Sequence, residues 1–236
     1  MSKGLVLYLD SSFKGLTLAL GHGEQKVEPI ASCSYFSNHI AAAKSPRMVK
    51  ELLNSHGYEL SDVAHLLVSS GPGSFTGIKV GLSFVSALSL SCPHLKLHQV
   101  SPLEELSRGS NSAWFIPATK SQGYLGLSHN GNPRLFAVDV GKDSISIESE
   151  GSREELGEGL LENKEINLLL PWPKLEEFFT SKEKVFNRIG LAASSAILQE
   201  AVLGNFLAEE AKAVSHVEPR YIRKSAPEEI LAKKEK

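Results

Sequence analysis

The chain has 236 residues, and its 25 Lys and Arg against 27 Asp and Glu give a formal net charge of −2. This length predicts one large domain or two domains of roughly 100 residues each. The near-neutral charge excludes bulk electrostatic attraction to nucleic acid, so any role near RNA needs a partner. The two cysteines, Cys33 and Cys92, lie far apart in the sequence, and no signal peptide is recognised, which predicts a reduced cytoplasmic protein. No apolar run reaches ~20 residues, so no membrane span is expected.

The first part of the chain is predicted to follow the order β-β-β-α-β-α, and a further strand closes it. The first helix begins at Ser45-Pro46, which supply N-cap and first-position chemistry, and ends at Gly57. The second helix follows a glycine-rich loop directly. The predicted strands are 4–10, 15–21, 25–35, 65–70 and 95–100, and the predicted helices are 46–56 and 75–91.

From Ala113 the same succession of element types starts again, with three strands, a polar helix from Ser152 to Asn163, a strand 166–171 and a helix 173–181. Tandem βββαβα halves are typical of the actin-like (ASKHA) two-lobe α/β fold, and a single mixed α/β domain is the alternative. We assign residues 1–103 to an N-terminal lobe, joined by a C-terminal helix and tail at about 206–236. Residues 104–205 form the predicted C-terminal lobe.

The stretch "SSGPGSFTGIKVGL" places a glycine-rich loop between a strand and a helix. Such loops collect backbone N–H groups at a helix N-terminus and can bind phosphate, so Gly71, Gly73 and Ser74 are candidate phosphate contacts. Neither the Walker pattern nor G-x-G-x-x-G is matched, because Lys79 comes one place too late and three residues separate the last two glycines of the loop. The alternative is a tight turn in which Ser74 caps the helix.

Asp10, at the end of the first strand, is the other candidate nucleotide contact. Phe13 follows shortly after it, and no glycine precedes Gly15 in this turn. A phosphate cradle favours glycine, because the backbone must approach the ligand closely. A carboxylate that caps the hairpin is therefore the alternative interpretation of Asp10.

The segment "HLKLH" places His94 and His98 four residues apart, a spacing that binds metal on a helix. Pro93 and the alternating leucines predict a strand here instead, in which these histidines lie about 13 Å apart. No metal site is therefore expected.

The helix after the glycine loop carries apolar side chains on more than one face. A helix of this kind is buried on several faces, so one face packs on the sheet and another meets a second helix. Gly77 and Gly81 lie one turn apart and permit close approach. The helix that it meets is either the segment 46–56 of this chain or a helix of another protein, and both interpretations stay open.

Four motifs resemble those of the TsaB (YeaZ) family. "SSGPGSFTGIKVGL" is similar to the family pattern S-x-G-P-G-S-F-T-G-[LI]-[RK]-[IV]-G, and "VSPLEELS" resembles V-S-S-L-E-x-[LI]-A. "LYLDSS" resembles the opening L-x-[IL]-D-[TS]-S, and "VEPRYIR" resembles the C-terminal x-x-P-x-Y-L-R. The matches occur in family order and span residues 7–223.

The resemblance implies a fold similar to that of TsaD and a non-catalytic scaffold that pairs with TsaD through the N-terminal lobe. With the ATPase TsaE, this complex installs N6-threonylcarbamoyl on adenosine 37 of tRNA. The scaffold then meets tRNA only through the complex, binds no cofactor alone, and leaves ATP or ADP to the complex. The metal-binding histidines of TsaD fall on Pro102 and Leu106, which cannot bind a metal.

The predicted partner-facing residues lie on the two helices of the N-terminal lobe. They are Val49, Leu52, Leu53, Ile78, Leu82 and Val85. Self-association through the same helices is an alternative when the chain is alone. The sequence departs from the family at Ala118-Thr119-Lys120, where the family often shows D-A-R.

Two enzyme functions are the alternatives to a scaffold. One is an independent actin-like ATPase or small-molecule kinase that uses Asp10 and the loop 71–77. The other is a protease, which the missing metal pair and catalytic triad disfavour.

Overall fold

The computed structural model describes residues 4–23, 26–37, 41–142, 144–149, 152–156, 158–206, 213–220 and 222. These residues fall into two compact units. Unit 1 contains those of 1–106 and 191–219, and unit 2 contains those of 107–190 and 220–222. No helix within the described ranges is both long and apolar enough to span a membrane.

The described strands and helices have the following bounds in chain order. The strands are β1 Leu5–Asp10, β2 Leu16–His22, β3 Glu28–Tyr35, β4 Val63–Ser69, β5 Lys96–Val100, β6 Ser112–Pro117, β7 Gln122–His129, β8 Asn132–Val140, β9 Ile145–Ser149, β10 Ser152–Glu155, β11 Glu165–Leu168 and β12 Phe186–Arg188. The helices are α1 Ala41–Ser55, α2 Phe75–Ser91, α3 Pro102–Ser107, α4 Pro173–Ser181 and α5 Leu191–Asn205.

Unit 1 is built on a five-stranded sheet with the order β3-β2-β1-β4-β5, in which β1, β4 and β5 run parallel. Every residue of β1 is buried, as expected for a strand covered on both faces. Leu7 and Leu9 belong to the cluster that contains α1 and α2, whereas Val6 and Tyr8 belong to the cluster that contains α5. The sheet therefore has helices on both sides, and α1 and α2 share one of them.

The helix α5 belongs to unit 1, so its predicted place in the C-terminal lobe (104–205) is wrong. Its Ser195 hydroxyl lies 2.5 Å from the Thr17 hydroxyl of β2, and Gln199 donates to the Ser32 hydroxyl of β3 at 2.9 Å. The apolar residues Val202 and Leu203 pack in the cluster that contains β1. Sequence order suggested the other lobe, but these buried contacts fix α5 on the first sheet.

The segment 213–219 also lies in unit 1, along the free edge of β5. The Val214 N–H donates to the Leu97 carbonyl at 2.8 Å, and the Glu218 N–H donates to the Gln99 side chain at 2.9 Å. Covering a sheet edge in this way satisfies backbone groups that an exposed strand would leave open. Of the rest of the predicted tail, residues 207–212, 221 and 223–236 lie outside the described residues.

Unit 2 has a seven-stranded sheet with the order β10-β9-β8-β7-β6-β11-β12. Its core contains Phe115, Trp172 and Phe179, which bring α4 onto the sheet. The predicted helix Ser152–Asn163 is wrong, because β10 pairs there with β9 and a 3-10 turn follows at Glu158–Leu161. Glycines at 157 and 159 disfavour a helix in this polar stretch. The second half therefore departs from a strict βββαβα order.

Candidate functional site

The glycine loop connects β4 to α2, and its end forms the N-terminus of α2. Ser74 is the N-cap, and its hydroxyl accepts a hydrogen bond from the Gly77 N–H at 3.2 Å. Gly71 has a φ of +104°, a conformation that glycine adopts without strain. The prediction that Ser74 caps this helix is confirmed.

The loop packs directly against the turn between β1 and β2. The Ser74 N–H donates to the Ser12 carbonyl at 2.7 Å, and the Ser11 hydroxyl donates to the Gly77 carbonyl at 2.7 Å. A Cβ at Gly73 would overlap the Ser12 carbonyl, and a Cβ at Gly77 would overlap the Ser11 carbonyl. These glycines therefore allow the backbones of the loop and the turn to meet.

Asp10 is buried, with 4 % of its surface exposed, and lies within this turn. One carboxylate oxygen accepts from the Ser12 N–H at 2.7 Å and the Ser12 hydroxyl at 2.6 Å, while the other accepts from the Tyr8 hydroxyl at 3.2 Å. Burial raises the Asp10 pKa, and the hydrogen bonds from Ser12 offset part of the rise. The arrangement matches a carboxylate that closes a hairpin.

The structure thus brings the predicted phosphate contacts Asp10, Gly71, Gly73 and Ser74 into one region. Within the described residues, the Ser74 N–H and both Asp10 oxygens are already engaged by the chain. The Ser12 carbonyl also packs closely against Gly73. These engaged atoms are not free to bind a phosphate, and the phosphate contact stays a prediction for a binding measurement to test.

The six residues predicted to face a partner are buried in unit 1 instead. Their exposed fractions range from 0 % for Val85 to 6 % for Leu52. They pack between α1, α2 and the sheet, so the structure corrects the predicted surface: these side chains hold α1 and α2 in place. The set comprises Val49, Leu52, Leu53, Ile78, Leu82 and Val85.

The opposite side of α2 carries a second apolar surface, which we call the α2 outer face. Its central stripe follows the alternating spacing of four and three residues that defines one side of a helix. Leu90, at the end of the stripe, is 84 % exposed. The α2 outer face consists of Phe75, Thr76, Lys79, Val80, Ser83, Phe84, Ala87 and Leu90.

Two depressions adjoin the α2 outer face. One, of about 490 Å³, lies along α2 between Phe75 and Phe84. The other, of about 400 Å³, lies between α1 and α2 and is lined by Lys50, Glu59 and Phe84 among others. Sequence reasoning missed this surface, although the spacing of Thr76, Val80, Ser83, Ala87 and Leu90 was a signal for it.

The histidines of "HLKLH" do not form a pair. His98 is buried in β5, where its ring contacts His65 with a nitrogen–nitrogen distance of 2.9 Å, whereas His94 is exposed and precedes the strand. The predicted strand is confirmed. In the part of the chain that the structure describes, no group of three or more His, Cys, Asp or Glu side chains could hold a metal.

The departure from the family motif at Ala118–Lys120 lies in the turn between β6 and β7. Here the Lys120 carbonyl accepts from the indole N–H of the buried Trp172 at 3.0 Å. A Cβ at Gly123 would overlap the Trp172 ring. In this chain, the turn therefore supports the packing of Trp172.

Comparison with known proteins identifies the class to which this fold and loop belong. The family model of TsaD, tRNA N6-adenosine threonylcarbamoyltransferase, matches residues 37–234, and the chain belongs to this family. Within it, the chain is similar to the tRNA threonylcarbamoyladenosine biosynthesis protein TsaB of Escherichia coli K12. The two are 35% identical over 63 residues, which cover 27% of each chain. The match thus spans about a quarter of that relative.

Two solved structures from Pseudomonas aeruginosa share the fold. A protein described as uncharacterized, with similarity to peptidase YEAZ, is 22% identical, with a TM-score of 0.57 and coverage of 93% of this chain and 100% of its own. YeaZ is 21% identical, with a TM-score of 0.53 and coverage of 89% and 99%. The resemblance to TsaB (YeaZ) is confirmed, and so is the predicted actin-like α/β class with two lobes.

Proposed function

We propose that this chain takes part in the biosynthesis of threonylcarbamoyladenosine in tRNA, as a non-catalytic scaffold that pairs with TsaD. TsaE completes the complex, which modifies adenosine 37 in the cytoplasm. The chain meets tRNA only through the complex, and ATP or ADP binds at the level of the complex. The family membership and the name of the E. coli relative support the pathway.

The observation that carries the pairing is the α2 outer face. Apolar and small side chains such as Val80, Ala87 and Leu90 lie outside the core, on a helix whose opposite side is buried. Contiguous exposed apolar surface marks an interaction site, and small residues let a second helix approach to 8–10 Å. We infer that a helix of TsaD packs along this face, with α1 beside it.

The non-catalytic role is supported by the glycine loop and Asp10. The Ser74 N–H, the Gly77 carbonyl and the Asp10 carboxylate form hydrogen bonds with the turn at Ser11 and Ser12. The alternative of an independent ATPase or kinase predicts that the chain alone binds ATP. Calorimetry of the isolated chain with Mg-ATP separates the two: the scaffold predicts no heat of binding, and micromolar affinity would favour the enzyme.

Co-elution with the TsaD of the same organism tests the pairing. Val80→Asp places a charge in the α2 outer face without changing the buried side, so we expect a folded protein that no longer co-elutes with TsaD. The matched control is Ala196→Asp, at an exposed position of α5 away from this face. It should co-elute like the unmodified chain. Equal co-elution of both variants would contradict the proposed surface.

A further inference from the structure

We infer that Lys79 selects the partner of the α2 outer face. The matching partner is an apolar helix that carries a carboxylate beside its apolar side chains, and this carboxylate pairs with the Lys79 ammonium group. The inference rests on the proposed function, because it concerns the same surface and the same partner. It adds the chemical feature that distinguishes this partner from other apolar helices.

Lys79 is held in place at this surface by an aromatic ring. Its Nζ lies 4.2 Å from the centre of the Phe75 ring, one turn earlier on α2. A cation over an aromatic face within about 6 Å is attracted by the ring electrons, so the ammonium group is positioned before a partner arrives. Among the residues that the structure describes, no carboxylate forms an ion pair with it.

Among the described residues that line the adjacent depression of about 490 Å³, Lys79 is the single charged one. The other described lining residues are Phe75, Thr76, Val80, Ser83 and Phe84. A helix packed over this depression removes water from the ammonium group, and a charge buried without a counter-ion is costly. A partner that covers the depression therefore gains affinity by supplying a carboxylate at Lys79.

A second copy of this chain is less suited to supply that carboxylate. The sequence of α2 contains no Asp or Glu, and Glu51 of α1 is already paired with Arg47 at 2.7 Å. Among the described residues that line the neighbouring depression, Glu59 is the remaining acid. The charge pattern thus favours a different chain as the occupant.

The affinity for TsaD, measured by calorimetry at about 50 mM and about 300 mM salt, tests the inference. Lys79→Met keeps the apolar stem and removes the charge, so we expect about tenfold weaker binding at low salt and a flatter salt dependence. Lys79→Glu should weaken binding by about a hundredfold, because it adds repulsion. Lys182→Met, at an exposed lysine of unit 2, is the control and should leave the affinity unchanged.

The outcomes separate this inference from the proposed function. If Val80→Asp still binds TsaD, the pairing surface itself is wrong. If Val80→Asp blocks binding but both Lys79 variants bind with unchanged affinity and salt dependence, the role of Lys79 alone is wrong. Sedimentation of the chain alone tests the second copy: a dimer weakened by Lys79→Met or by Glu59→Gln would assign Lys79 to self-association and overturn the inference.

Discussion

The two sides of α2 are both apolar, yet they have different environments. Val85 on the inner side is fully buried, whereas Leu90 on the outer side is 84 % exposed. The inner side also carries Gly77 and Gly81, where an added Cβ would meet atoms of Ser11. The comparison teaches that apolar character alone does not show which side of a helix is buried. Contacts with the sheet and with the β1–β2 turn determine it.

The largest effect is expected where the inner side meets the β1–β2 turn. Gly77→Ala places a Cβ on the Ser11 carbonyl, and no side-chain rotation can relieve a clash with backbone, so we expect a loss of about 2–4 kcal/mol in the free energy of unfolding. Urea denaturation measures it. Gly204→Ala is the control, because among the described residues no atom beyond its chain neighbours and its own helix backbone lies within 4 Å of its Cβ position, and alanine favours a helix. Equal stability of both variants would contradict the contact.

A matched pair of truncations compares the two sides directly. Leu82→Ala removes a buried side chain and should cost about 2–5 kcal/mol of stability. Val80→Ala removes an outer side chain and should cost less than about 1 kcal/mol, while weakening the affinity for TsaD. Thermal unfolding and calorimetry give both quantities. If Val80→Ala were the more destabilising change, the assignment of the sides would be wrong.

The pH dependence of stability tests the buried contacts of Asp10 in the β1–β2 turn. Burial raises its folded-state pKa above the unfolded value of about 4, so the protonated carboxyl stabilises the fold below that value, and this contribution is lost as the pH rises through the folded-state pKa. Asp10→Asn keeps an acceptor for Ser12 and removes the titration. The stability of the unmodified chain relative to this variant should therefore fall as the pH rises from about 4 to 8.

For each unit by which burial raises the pKa of Asp10, this relative stability should fall by about 1.4 kcal/mol. Urea unfolding at several pH values measures the fall. A relative stability that grows with pH would show that the hydrogen bonds from Ser12 and Tyr8 outweigh burial.

The smallest effect is expected on the solvent side of α1. Glu51→Gln breaks the exposed pair with Arg47, and water screens surface pairs of this kind so that they contribute little to stability. The midpoint of urea unfolding at low salt is expected to stay within the scatter of repeated measurements. A larger loss would mean that the outer side of α1 also supports the fold.

Local patterns predicted much of unit 1. The strands at the N-terminus, the helix α2 and the strand–loop–helix around Ser74 follow from apolar periodicity and turn residues. The predicted start of α1 at Ser45-Pro46 is wrong, because the helix begins at Ala41 and contains Pro46. The buried face of α2 could not be predicted, because Ile78 and Val80 are both apolar. Only packing against the sheet determines which of the two side chains is buried. The pairing of β10 with β9 and the docking of α5 were missed because both depend on long-range contacts.

A thiol-labelling experiment tests the central claim, that the outer side of α2 docks TsaD. Cysteine is placed at Ala87 on the α2 outer face or at Ala196 on α5, both exposed, in a chain whose Cys33 and Cys92 are replaced by serine. Saturating TsaD is predicted to slow labelling of Ala87→Cys at least about tenfold and to leave Ala196→Cys unchanged. Equal labelling rates at position 87 with and without bound TsaD would contradict the claim.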